Sequence, residues 1–253
     1  MGDSRPLKIA VVCEAPADRD IACDLADRVI GSEVPSLAGA SLEPYRVYCG
    51  LSESQSHLLW QHVDNAARHL RIRAHGFFAG RPGAHYARKA RLTLLLLTAC
   101  RPKPDAVLLI VDTDGDLSRC EGLNQARHHP KPGERWSFEV VVGLEHTKRE
   151  CWVLCGFDPC DPKEESLFQS VRQELGFDPR TNAASLTAKH HPQDKRNAKR
   201  VLRVLTAGIA EREQSCWRQA ELKVLSARGL ETGLAAYLDE VRTILAPLFK
   251  QQM

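Results

Sequence analysis

An α/β fold with a mainly parallel sheet flanked by helices, and an α-helical C-terminal region, is predicted by three features of the sequence. Two branched apolar runs, LKIAVVC (7–13) and AVLLIV (106–111), lack polar alternation, the mark of strands covered on both faces. Each is followed by a segment of helical period. Beyond Asp158-Pro159 the strand-like runs stop while helical ones continue.

The elements follow in order. Pro6 and Glu14-Ala15-Pro16 bound the first strand, and Ile21, Ala22, Leu25, Ala26 and Val29 give 18–30 a helical period, with Asp18 able to cap its start. Tyr45–Cys49 reads as a second strand, and Leu58, Leu59, Val63, Ala66 and Leu70 as the inner side of a helix over 56–73. HGFFAGRPGAH breaks the pattern at Gly76, Gly80, Pro82 and Gly83. A helix over 84–100, basic and then apolar, ends at Pro102 and Pro104. The strand at 106–111 stops at Asp112-Thr113-Asp114-Gly115-Asp116. A helix over 117–127, the loop HHPKPGE, a strand over 138–143 and a helix over 147–155 come next, then helices over 164–175, 194–205, 209–227 and 230–249. The expected division is a sheet domain over 1–160, carrying a basic helical insertion at about 53–104, and a helical region over 161–253.

A chain of 253 residues, 43% apolar, has enough apolar surface for a folded core, which excludes intrinsic disorder. The apolar stretches, such as Leu94–Leu97 and Ala106–Val111, are far below the roughly 18 to 20 residues of a membrane span, and the N-terminus reads as neither signal nor transit peptide. No membrane contact and a cytoplasmic location are expected. Nine cysteines without a CxxC pair read mainly as buried small hydrophobes in a reducing compartment. His146, Cys151, Cys155 and Cys160 offer zinc-ligand types, but not the paired spacing of a finger.

The net charge of +3 conceals segregation. Residues 65–104 contain no Asp or Glu and carry Arg68, Arg71, Arg73, Arg81, Arg88, Lys89, Arg91, Arg101 and Lys103, so this segment is +9 and the remainder −6. Exclusion of carboxylates over such a length suits a surface that meets polyanionic phosphate, with Arg81, Arg88, Lys89 and Arg91 as candidate contacts for DNA or RNA. A second basic stretch, 189–228, includes DKRNAKRVLRVL, where Lys195, Lys199 and Arg203 recur every four residues. An amphipathic helix with Val201, Leu202, Val204 and Leu205 inward is the competing reading there; Lys199 joins the candidate nucleic-acid contacts.

In parallel sheets ligands bind beyond the carboxyl ends of strands. Two strands here end in acids: Glu14, with Asp18 one helical turn on, and Asp112, Asp114 and Asp116. Clustered carboxylates repel unless a cation neutralises them, and hard oxygen donors select Mg²⁺ or Mn²⁺. A polar helix-capping turn is the alternative for DTDGD. An EF-hand loop fails, since Leu117 and Leu123 stand where Gly and Glu are required, and a dehalogenase-type phosphatase motif needs Thr or Ser where Asp116 stands.

A Glu after the first strand and an Asp-x-Asp after a later apolar strand resemble the Toprim fold. Asp18, four residues after Glu14, is similar to the pattern of the overcoming-lysogenization-defect nucleases and of Toprim-like proteins in bacterial defence loci. Glu150 and Trp152 in KRECWVLC resemble the Glu-x-x-Trp-like segment of the latter. The resemblance covers about 7–156 and departs at Ala15, where Gly is usual, and in the long interval from Glu14 to Asp112. It implies a metal-dependent nuclease: Glu14, Asp18 and Glu150 holding one Mg²⁺ or Mn²⁺, and Asp112 with Asp114 another or the same. Glu14 could instead be a general base, and Lys195 or Lys199 would neutralise transition-state charge. It implies equally a non-catalytic binding or regulatory subunit beside a partner ATPase.

Overall fold

The computed structural model describes residues 5–78, 80–128, 135–188 and 191–252. Its central sheet sets β2 (Arg46–Cys49), β1 (Leu7–Cys13), β6 (Ala106–Asp112) and β7 (Glu139–Glu145) side by side in that order. Strand β1 is buried at all seven positions, so it must be paired on both edges and covered on both faces. It runs parallel to β2, with Leu7 opposite Arg46 and Ala10 opposite Cys49. Farther along the same strand it pairs in parallel with the two-residue β3 (Leu58–Leu59). Its other neighbour, the parallel β6, runs from Ile9 opposite Ala106 to Val12 opposite Leu109. The predicted α/β class, with its mainly parallel sheet, flanking helices and helical C-terminal region, is the observed one.

Local chemistry moves several boundaries. Helix α1 (Pro16–Glu33) starts at Pro16, whose missing N–H costs nothing in a first turn; Asp18 caps from inside, accepting from the Ala15 N–H at 2.7 Å. The predicted helix over 56–73 shrinks to α2 (Val63–His69). Leu58 is drawn into the sheet opposite Val12, and Trp60 places its indole N–H on the Ile110 carbonyl at 2.7 Å. A small antiparallel ladder follows, β4 (Phe77–Phe78) with β5 (Arg81–Pro82). Helix α3 (Ala87–Ala99) begins three residues late because Tyr86 is left-handed, at φ 69°. It packs against α2 and α4 (Ser118–Arg127). Residues 129–134 of the loop expected before β7 lie outside the described residues.

Two compact units emerge. One comprises the chain through Val111, Asp116–Gly143 and the chain from Glu240; the other comprises Asp112–Gly115 and Leu144–Asp239. This outline differs from the expected division at residue 160, because α5 (Arg149–Cys155) is the core of the helical unit. Six of its residues are buried, and α7 (Ala198–Leu205), α8 (Ala210–Gln219) and α9 (Leu222–Arg228) pack on it. A single straight helix over 209–227 could not follow α5, only ~10 Å long at 1.5 Å per residue. The chain breaks at Ala220 instead, so that Cys216 and Trp217 from α8 and Leu225 from α9 are all buried. Helix α6 (Pro162–Leu175) completes this unit before α7. The last predicted helix starts late, as α10 (Leu234–Glu240), behind the left-handed Gly233. It widens into a π turn over Val241–Leu245 before α11 (Ala246–Lys250), where Pro247 removes an N–H from the ladder.

Glu164 anchors the start of α6. Arg212 reaches both of its oxygens at 2.8 Å, the Cys160 N–H donates at 3.0 Å, and the Arg212 hydrogen bonds, followed by burial opposing them, hold its pKa at about 2. A depressed carboxylate stabilises the fold fully above its unfolded pKa of about 4.3 and loses that stabilisation as pH falls towards the folded value. Thermal melts of Glu164→Gln and the native chain should therefore differ by a constant amount above about pH 5 and converge as pH approaches about 2; a gap independent of pH in that window would contradict the assignment.

Candidate functional site

Within the sheet-containing unit, the carboxyl end of β1 is built around Glu14. Its Oε1 accepts from the Tyr86 hydroxyl at 3.4 Å and lies 3.5 Å from Arg119 Nη1. Trp60, fixed on the end of β6, packs edge-on against Tyr86 with centroids 5.5 Å apart, and the Arg119 guanidinium stands 5.0 Å from the same ring. Lys89 lies 5.9 Å from it. The basic helix α3 thus starts beside the acid that follows β1.

Next to it, His85 Nδ1 and Asp116 Oδ2 are 2.7 Å apart, and Asp116 Oδ1 accepts from both the hydroxyl, at 2.6 Å, and the N–H, at 3.0 Å, of Ser118. Ser118 first and His85 second hold the Asp116 pKa at about 2. Asp116 is therefore tied into the turn that leads into α4, one residue before its N-cap Leu117. The loop bearing His85 and Tyr86 lies against α4 so closely that a Cβ on Gly122 would be 1.9 Å from the His85 carbonyl oxygen.

In the helical unit, Asp112 Oδ1 accepts from the Arg149 N–H at 3.0 Å, fixing the start of α5. Asp114 is left-handed at φ 48° and followed by Gly115 at φ 75°, a turn that Asp and Gly tolerate and bulky residues do not. Lys148 Nζ stands 3.5 Å from Asp114, and Arg149 stands 3.4 Å from the buried Glu150 and 3.6 Å from Glu213. The Trp152 indole donates to the Thr232 carbonyl at 2.8 Å and is wholly buried. Thr113 Oγ1 and His146 Nδ1 are 2.7 Å apart, and burial lowers the His146 pKa, so the imidazole is neutral at pH 7. Cys151 and Cys155 are buried, and desolvation pushes the Cys155 thiol up to about 12, the reverse of what a thiolate ligand needs.

The proposed basic contacts separate. Arg81 and Arg88 are exposed, and Lys89 is half-buried. Arg91 corrects its expectation: it is 4% exposed, its guanidinium lies 3.4 Å from the Phe78 ring centroid, and it donates to the Phe77 carbonyl at 2.7 Å, so it braces the 75–78 loop from inside. Lys195 precedes α7 rather than sharing its face with Lys199, because Asn197 is the cap; its Nζ reaches the Glu174 carbonyl at 3.4 Å. Lys199 is exposed on the first turn.

Hard carboxylate oxygens fit Mg²⁺ or Mn²⁺ in chemistry. Among the described residues, however, no three His, Cys, Asp or Glu side chains gather in a group able to hold an ion. Asp18 is withdrawn by its bond to the Ala15 N–H, and Asp116 by Ser118 and His85. Sequence reasoning missed His85, Tyr86 and Arg119, which lie far from Glu14 in the chain and carry no motif. It also missed Glu145, wholly buried at the end of β7, for which the signal was available: an acid closing an apolar strand, as at Glu14 and Asp112.

Comparison with known proteins gives no match: no family model fits the chain, and no curated protein and no solved structure is significantly similar to it. Among the described residues no helix is long and apolar enough to cross a membrane.

The close packing at Gly122 sets one expectation. Gly122→Ala should push the 85–87 backbone off α4 and destabilise the fold by about 1 to 3 kcal/mol, read by urea unfolding. Near-native stability would show that the loop carrying His85 and Tyr86 yields freely.

Proposed function

We propose that this chain is a Toprim-like, metal-dependent phosphodiesterase acting on nucleic acid. The observation that supports it best is the bond from Tyr86, at the head of the acid-free basic helix, to Glu14 at the carboxyl end of β1. It sets a phosphate-attracting surface beside a carboxylate at the place where parallel sheets act. The adjacent parallel strands β1 and β6 supply the acids of the reading, Glu14 from the first and Asp112 with Asp114 from the second. Asp112 with Asp114 would hold Mg²⁺ or Mn²⁺, which when bound supplies charge neutralisation and an activated water for an in-line displacement.

The chain's own residues have definable tasks in this reading. Tyr86 and Arg119 hold the Glu14 carboxylate in place. Asp112 does double duty, since its Oδ1 already orders the start of α5. Arg81, Arg88 and Lys89 draw in the phosphodiester backbone. Glu150, ion-paired with Arg149, lends charge balance, and Lys199 offers a second phosphate contact.

A second reading has its own support. Each candidate acid has a protein cation or N–H beside it, and no ligand group is gathered among the described residues, as in a binding or regulatory subunit working with a partner such as an ATPase.

Purified protein with Mn²⁺ or Mg²⁺ should cleave DNA or RNA. Glu14→Gln and Asp112→Asn, the latter retaining an acceptor for the Arg149 N–H, should each reduce cleavage by more than about 100-fold, the upper end of what residues merely supporting an ion cost. Cleavage surviving Asp112→Asn would remove the assignment, and binding without cleavage under any divalent ion would favour the subunit reading.

A further inference from the structure

The basic segment forms a cleft of about 260 Å³ between α2 and α3, within the sheet-containing unit. Its shape follows from how α2 ends. Arg71 is left-handed at φ 55°, its N–H donates to the Arg68 carbonyl at 3.1 Å, and the Ile72 N–H donates to the Ala67 carbonyl at 2.9 Å, the paired bonds of a Schellman turn. Such a turn folds the residue after the left-handed position back onto the helix. Ile72 therefore joins Leu92 of α3 in an apolar wall, and the next residue, Arg73, stands exposed at the rim.

The rim is unbalanced in charge. Arg68, Arg73 and Arg88 line it against a single carboxylate, Asp64. Asp64 lies 3.5 Å from Arg88 and 3.9 Å from Lys89, while Arg68 is pinned along its own helix to the Asp64 carbonyl at 3.3 Å and to Asn65. Arg73 makes no hydrogen bond or ion pair among the described residues. An apolar wall under an arginine rim matches a ligand that is anionic at one end and flat and apolar at the other.

We propose that this cleft holds one nucleotide of a single-stranded nucleic acid, the phosphate on Arg73 and the base against Ile72 and Leu92. The proposal rests on the reading of the basic segment as a nucleic-acid surface and adds the state of the strand. In a duplex the base faces are stacked away and the apolar wall gains nothing. In a single strand each base presents a face that side chains and guanidinium planes can cover.

The test is fluorescence anisotropy with the full chain in EDTA, using a labelled oligonucleotide single-stranded and as its duplex of equal length, across a salt series. The single strand should bind about tenfold tighter or more. Arg73→Glu should weaken it about tenfold and lower the salt slope by about 0.7 for each phosphate no longer neutralised, whereas Arg73→Lys should keep the slope. Ile72→Ser should reduce the preference for single strands without changing the slope, and far-ultraviolet circular dichroism confirms that each variant is folded. Equal affinity for the two forms, or native binding by Arg73→Glu, overturns the proposal. Because no metal is present, single-strand preference in a protein that cleaves nothing supports the cleft while removing the phosphodiesterase reading, and cleavage with native binding by Arg73→Glu does the reverse.

Discussion

The parallel pairing of β1 with β6 is the constraint from which most of the structure follows. Both strands are buried along nearly their whole length; Lys8 is kept within β1 by setting its ammonium on the Pro102 carbonyl at 3.0 Å, and the acids come where a strand ends. That is why Glu14, Asp112 and Glu145 stand where they do, each at the last position or just beyond it. It also explains Trp60. The Ile110 carbonyl, near the end of a buried strand, needs a donor, and an indole N–H drawn from the segment after β3 supplies one without admitting water. By anchoring Trp60, that bond positions the aromatic edge against which Tyr86 rests, and so the approach of the basic helix to Glu14.

Charge segregation has two consequences that act together. Removing carboxylates from 65–104 leaves its arginines without local partners, so some must be settled by other means. Arg91 does so by burial over Phe78 and a carbonyl bond, Arg88 and Lys89 by sharing Asp64, which lies just outside the acid-free segment. Those that remain exposed, such as Arg73 and Arg81, make no side-chain hydrogen bond or ion pair among the described residues. A segment of mixed charge would have satisfied itself.

The sequence made the sheet legible because burial on both faces leaves an unmistakable apolar run, and it made the acids at strand ends legible for the same reason. Helix starts were harder. A left-handed residue such as Tyr86 or a capping acid such as Asp18 acts through one dihedral or one N–H, and periodicity over ten residues is blind to both. Arg91 and Lys89 show the limit for charged residues: two positions apart on one helix, one faces the Phe78 ring and the other the surface, and only the path of the 75–82 loop decides which. The partners of Glu14 were beyond reach because Tyr86 and Arg119 approach it from distant points of the chain, through α3 packing on α4 at Gly122.

The placement of cations beside the acids bears on how a divalent ion would have to bind. Arg119 beside Glu14, Lys148 beside Asp114 and Arg149 beside Glu150 each relieve the repulsion that unneutralised carboxylates would suffer. A compact, strongly hydrated Lys ammonium on a flexible stem is readily displaced, whereas a guanidinium held by an aromatic ring, as Arg119 is by Tyr86, leaves less easily. A cation would therefore displace Lys148 from Asp114 more readily than Arg119 from Glu14. Glu14 is thus the acid most firmly oriented by its neighbours, and the one whose position depends most on the start of the basic helix α3.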